Sequence, residues 1–199
     1  MRRIFTAIDI SDEARIKVAR YIENVRDEFP NLRVGWERAE KLHLTLKFLG
    51  DIDEDRLNNF IEAVEETAEQ LSNFKLQISG TGAFPSPRNA RILWLGVRDE
   101  RGSLQRLNEI LETECKRKGF EREKRNYKPH LTIVRLREPP KSKELVGKHL
   151  QNDFASIEFA VSRITIYESL LQKSGSIYSV VSKHQFTEDN RIDRDKTKN

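Results

Sequence analysis

His43-Leu44-Thr45-Leu46 and His130-Leu131-Thr132-Ile133 are one pattern written twice, 87 residues apart in a chain of 199. Each run alternates as a β-strand does, and in a strand residues i and i+2 point to the same face. Each histidine therefore stands beside its threonine. Leu44, Leu46, Leu131 and Ile133 point the other way, into apolar packing. If two such strands face each other across a cleft, two imidazoles and two hydroxyls converge on one small volume. Strict alternation also puts Lys47 on the face of His43 and Thr45, but Arg135 on the face opposite His130 and Thr132. For Arg135 to reach the site, a bulge or a strand end must turn it.

The surrounding pattern is mixed. Arg2–Asp9 reads as a strand. Ala14, Val18, Ile22, Val25 and Phe29 then form a helical stripe opened by Ser11 and Asp12 and stopped by Pro30. A second helix carries Leu57, Phe60, Ile61, Val64, Ala68 and Leu71. Residues 74–79 read as a strand, and Gly80, Gly82, Pro85 and Pro87 punctuate a loop after it. A strand at 92–97 leads to a helix with Leu104, Leu107, Leu111 and Cys115, which Gly119 closes. A charged loop over 121–129, a short helix at 145–150 and strands at 157–167 and 177–182 complete the chain. Interspersed strands and helices predict an α+β fold, and the repeat predicts two related lobes. The expected domain spans 1–186, with 187–199 a disordered tail.

The formal net charge is +4, and charged residues make up 34% of the chain against 37% hydrophobic. The charged share exceeds the usual quarter. It fits either surface ion-pair networks or a plain solvated surface. No apolar run is long enough to cross a membrane, and the N-terminal residues do not resemble a signal peptide. The single cysteine, Cys115, supplies neither an intrachain disulfide nor a Cys-rich zinc site, so a reduced cytoplasmic setting is expected. From Lys116 to Lys148 there are twelve Lys or Arg against four Glu, a basic stretch that favours polyanions.

Paired histidines and threonines suit a phosphate diester. One neutral imidazole takes a proton from the attacking oxygen, and the other, protonated, gives one to the leaving oxygen. Threonine hydroxyls donate to the non-bridging oxygens. This chemistry needs no metal and no cofactor. The chain contains no His-Glu-x-x-His, Walker loop or Gly-x-Gly-x-x-Gly.

The two motifs resemble the signatures of the two-histidine phosphoesterases, and in particular the RNA 2′,3′-cyclic phosphodiesterases, also called 2′-5′ RNA ligases. The likeness extends to Arg3-Ile4-Phe5-Thr6-Ala7-Ile8-Asp9, Lys47-Phe48-Leu49-Gly50-Asp51, Gly82-Ala83-Phe84-Pro85 with Trp94, and Lys128-Pro129, covering about residues 2–185. It implies two pseudo-symmetric lobes of antiparallel sheet, helices on their outer faces and an active cleft between them. It also implies hydrolysis of an RNA 2′,3′-cyclic phosphate to a 2′-phosphate, with His130 as proton acceptor and His43 as proton donor. Thr45 and Thr132 would hold the phosphate. The alternatives are a 2′-5′ ligase joining tRNA-like halves and a module that binds RNA without turning it over. A monomer is expected.

Arg135 is a candidate phosphate clamp, since guanidinium suits bidentate phosphate contact. Phe84 and Tyr127 are candidates for base stacking, or for loop packing. His149 and His184 lack a threonine at the motif's offset and read as surface or edge residues. Cys115 lies on an apolar helical stripe and reads as core.

Overall fold

The computed structural model describes residues 1–172 and 175–187. Its strands are β1 (Arg2–Asp9), β2 (Val34–Trp36), β3 (His43–Ile52), β4 (Phe74–Phe84), β5 (Ile92–Arg98), β6 (His130–Leu136), β7 (Ile157–Val161), β8 (Arg163–Gln172) and β9 (Gly175–Gln185). Its α-helices are α1 (Asp12–Glu28), α2 (Glu54–Glu69), α3 (Ser103–Arg117) and α4 (Lys143–Gln151).

Local chemistry explains the helix ends. Ser11 Oγ accepts from the Ala14 amide at 3.2 Å, and Asp53 Oδ1 accepts from the Arg56 amide at 2.9 Å. At α3 the N-cap is Gly102 in the left-handed conformation, so the side-chain oxygen comes from Asp99, which accepts from the Leu104 amide at 2.6 Å.

The strands form two antiparallel sheets, ordered β3-β1-β8-β9 and β2-β6-β5-β4-β7. Matching β3 with β6, β1 with β5, β8 with β4 and β9 with β7 turns one sheet into the other, so the repeat seen in the motifs extends to whole lobes. The outer faces are covered by helices. Lys47 on β3 reaches Glu112 on α3, and α3 packs on α2, which touches β8 and β9. On the other lobe Tyr21 of α1 meets His149 of α4, and His149 reaches the carbonyls of Gly82 on β4 and Trp94 on β5.

Several expectations need correction. β4 runs on through Gly80 and Gly82 to Phe84, where a loop is expected. Glycine serves the pairing here, because a Cβ on Gly82 would lie 2.0 Å from the Trp94 ring that crosses it. The expected strand over 157–167 is two strands that part at Ser162 and serve different sheets. β2 has no counterpart in the sequence reading. His149 is fully buried rather than superficial. Its Nε2 donates to the carbonyls of Gly82 and Trp94, and its Nδ1 accepts from the Tyr21 hydroxyl at 2.9 Å. Of the expected tail, 187–199, Thr187 is anchored to the Leu71 carbonyl, and the residues from 188 onward lie outside the described residues.

The largest change concerns Lys47. Between β1 and β3 the register jumps from Ala7↔Thr45 to Thr6↔Lys47, so Leu46 is an extra residue, a β-bulge. The bulge throws Lys47 onto the buried side. Its Nζ lies 2.7 and 2.9 Å from the Glu112 carboxylate and 2.9 Å from the Glu121 carbonyl. Glu112 also accepts from the Glu123 amide at 3.1 Å, tying the 121–129 loop to the sheet. The side chains of Lys47 and Glu112 are 5% and 12% exposed, so truncating one strands the other in low dielectric. Lys47→Met is expected to lower the unfolding free energy by about 3 to 5 kcal/mol, and Lys47→Met with Glu112→Leu to recover most of that loss. Urea unfolding of the two variants tests this, and a double variant as unstable as the single one would refute it.

Candidate active site

Both motif strands face the cleft between the sheets, and both are built the same way. His43 Nδ1 donates to the carbonyl of Lys41 at 2.6 Å, and His130 Nδ1 donates to the carbonyl of Lys128 at 2.7 Å. Because a carbonyl only accepts, each bond places the neutral ring's hydrogen on Nδ1 and leaves Nε2 without one, as an acceptor. Each ring is thereby oriented by the backbone two residues before it. His43 Nε2 also meets the Thr45 hydroxyl at 3.1 Å.

The turn that supplies the Lys41 carbonyl is itself pinned. Arg15 of α1 donates to the carbonyls of Ala39 at 2.7 Å, Leu42 at 3.2 Å and Ile10 at 3.4 Å. Nothing near Arg15 in the sequence signals this role, since all three acceptors are main-chain atoms.

The second motif carries the same bulge as the first. Trp94 pairs with Thr132 but Leu93 with Val134, so Ile133 is extra. Ile133 and Val134 are both buried, and Arg135 returns to the cleft face. That satisfies the condition the sequence set for Arg135. Its Nε lies 4.0 Å from Glu37 Oε2, and its charge reaches both histidines, pulling the pKa of each down. Glu37 escapes a motif reading because it follows the short β2 and meets Arg135 only through the pairing of β2 with β6.

Aromatic rings line both walls. Phe5 lies 5.0 Å from His43 between centroids, and Tyr178 lies 5.5 Å from it, edge-on. Phe84 lies 4.8 Å from His130, also edge-on, with Trp94 behind at 6.4 Å. Tyr127 is placed differently from a stacking residue. Its ring packs against the core, and its hydroxyl donates to the Thr45 carbonyl at 3.1 Å, which ties the loop before His130 to the strand of His43. Cys115 is fully buried on α3, as its stripe predicts.

Burial dominates the electrostatics. It pushes His43 down to about 4 and His130 below its ordinary value, opposed in each case by the backbone carbonyl bond. Asp9, the cross-strand partner of His43, favours the protonated ring. That carboxylate accepts from the hydroxyls of Thr165 at 2.8 Å and Tyr167. Part of the basic excess over 116–148 is spent on ion pairs, such as Lys118 with Glu62 and Lys148 with Glu28. Arg122, Lys124, Arg125 and Lys128 stay exposed on the loop leading to His130.

Residues 13–172 match the model of the 2′-5′ RNA ligase superfamily. The chain belongs to that superfamily. It is 33% identical over 184 residues to a Thermotoga maritima protein named RNA 2′,3′-cyclic phosphodiesterase, covering 92% of this chain and 95% of the relative. An Archaeoglobus fulgidus protein of the same name is 34% identical over 177 residues, covering 88% and 96%. Among solved structures, E. coli LigT complexed with 3′-AMP superposes with a TM-score of 0.74 at 25% identity, covering 94% of this chain and 99% of that one. The superfamily's bilobed α+β architecture is the one described above. No helix among the described residues is long and apolar enough to cross a membrane.

With both imidazoles shifted down, the free protein holds them neutral at pH 7. NMR titration of the ligand-free protein is expected to place His43 near 4 and His130 below 6.5. The unfolded chain protonates its histidines at higher pH than the folded one, so these residues add stability above about 6.5 that is lost as the pH falls toward 4. An imidazole titrating at or above 6.5 at either position would refute the burial argument.

Proposed function

We propose that this protein hydrolyses RNA ends bearing a 2′,3′-cyclic phosphate to 2′-phosphates, with no metal ion, through His43 and His130. The observation that carries this reading is the pair of equivalent Nδ1–carbonyl bonds, which turn both Nε2 atoms, that of His43 met by the Thr45 hydroxyl, toward a cleft where the Arg135 charge reaches both rings. The curated relatives named for this activity support it.

The chemistry follows from the geometry. His130 Nε2 accepts a proton from water as the water oxygen attacks phosphorus. The bond from phosphorus to O3′ breaks, and protonated His43 gives its Nε2 proton to the departing O3′. The products are a 2′-phosphate and a 3′-hydroxyl, and proton exchange with solvent restores the two rings. Thr45, Thr132 and the Arg135 guanidinium face the non-bridging oxygens, where charge builds in the transition state. A bound phosphodiester anion favours the charged imidazole, so substrate restores the acid that burial withholds from the empty site. Run in reverse on a 5′-hydroxyl end, the same two groups would make a 2′-5′ bond.

His43→Ala and His130→Ala are each expected to lower kcat at least about a hundredfold, with wild-type turnover unchanged by EDTA. One ring must be charged while both pKa values lie below the ordinary histidine value. kcat/KM is therefore expected to fall as the pH rises through neutrality. Product analysis on an oligoribonucleotide with a 2′,3′-cyclic phosphate measures all three. Full activity in either variant, or loss of activity in EDTA, would refute the mechanism.

A further inference from the structure

Direct displacement at phosphorus places the attacking water and the leaving O3′ on opposite sides. O3′ belongs to the ribose, so the nucleoside lies on the side of the acid, His43. Beside His43 the cleft opens into a pocket of about 360 Å³ whose lining includes Arg38, Lys41, Ile177 and Tyr178. Neither lysine nor tyrosine there belongs to the histidine motifs, and the side chain of neither takes part in the mechanism above.

We propose that this pocket holds the terminal nucleotide of the RNA, with its base against Tyr178 and its 5′-phosphodiester on Lys41 and Arg38. The protein then selects an RNA end over a nucleoside cyclic phosphate that lacks a 5′-phosphate. This inference rests on the hydrolase reading and names the part of the substrate that its site grips.

The placement of the groups supports it. Tyr178 touches His43 at 5.5 Å and Phe5 at 5.0 Å, which holds the ring upright on the wall next to the reacting phosphorus. The Lys41 ammonium lies over that ring, 5.6 Å from its centroid. An aromatic face with a cation beside it is the pairing that single-stranded nucleic acid uses, base on ring and phosphate on charge.

The cations are also well held. Lys41 and Arg38 bracket one turn, closed by the Lys41 amide donating to the Arg38 carbonyl at 2.9 Å and pinned by Arg15. The same turn gives His43 its carbonyl partner. Cyclic phosphate and 5′-phosphate hang from one ribose, so their sites belong within one sugar of each other, and Lys41 is two residues from His43. Glu40 lies 4.0 Å from Arg38 at the rim and offsets part of its charge, which leaves Lys41 the larger share of the phosphate.

Binding tests this separately from turnover. The probes are a nucleoside 2′-phosphate and the same nucleoside 2′,5′-bisphosphate, titrated calorimetrically into wild-type protein and variants. The bisphosphate is expected to bind about tenfold tighter or more. Lys41→Met should remove most of that gap, and Lys41→Arg should keep it. Tyr178→Ala should weaken both probes about tenfold, and Tyr178→Phe neither. Equal affinities in the wild type, or a gap that survives Lys41→Met, would overturn the proposal. A gap that behaves as expected in a protein that leaves cyclic phosphate ends intact would sink the hydrolase reading and keep the subsite. Hydrolysis without a gap would do the reverse.

Discussion

One extra residue directly after each His-x-Thr governs this site. Without bulges, a period of two would send Lys47 and Val134 into the cleft and turn Phe48 and Arg135 toward the helices. The bulges at Leu46 and Ile133 reverse all four placements while leaving His-x-Thr undisturbed ahead of them. Arg135 reaches the cleft face only because of this inversion. The two lobes then meet the cost of the inverted residue in different ways. In the second lobe Val134 is apolar and enters the core at no electrostatic cost. In the first, Lys47 must bring its charge inside, and only the Glu112 carboxylate and the Glu121 carbonyl make that tolerable. The same ion pair secures the loop that carries Tyr127, whose hydroxyl braces the Thr45 carbonyl. A buried charge forced by a bulge thus ends up organising the approach to the opposite histidine.

Sequence and structure agree where the controlling interactions are local. The apolar stripe of α1, the Ser11 cap and the stop before Pro30 involve neighbours within a turn, and all are present. The paired histidines are legible because the repeat is short and rare. What escapes a sequence reading depends on partners far along the chain. A bulge is set by which residue of the opposite strand each amide meets, so neither Lys47 nor Arg135 can be placed from its own surroundings. His149 reads as polar and superficial, yet its hydrogen-bond partners are Tyr21, Gly82 and Trp94, from 55 to 128 residues away. Arg15 holds three main-chain carbonyls, which carry no side-chain signature at all.

The pseudo-two-fold relation raises a chemical problem, because an acid and a base cannot be the same group in the same setting. The backbone treats the two imidazoles alike, down to the residue type whose carbonyl orients them. The walls do not. His43 is the more deeply buried ring. It has a threonine hydroxyl at Nε2, a carboxylate as cross-strand neighbour and Phe5 and Tyr178 against its faces and edges. His130 is more open, with Phe84 and Trp94 beside it and an exposed basic loop leading in. Asp9 also distinguishes them. It favours the charged form of His43 from a position held by Thr165 and Tyr167, and the factors that shift His130 include no carboxylate. A ring that must be charged to act gains from that neighbour, whereas a ring that must accept a proton from water gains from the open side. The duplicated strand supplies two imidazoles with the same backbone bond, and the unduplicated surroundings set them apart: burial lowers His43 to about 4, and Asp9 opposes that burial at His43 alone.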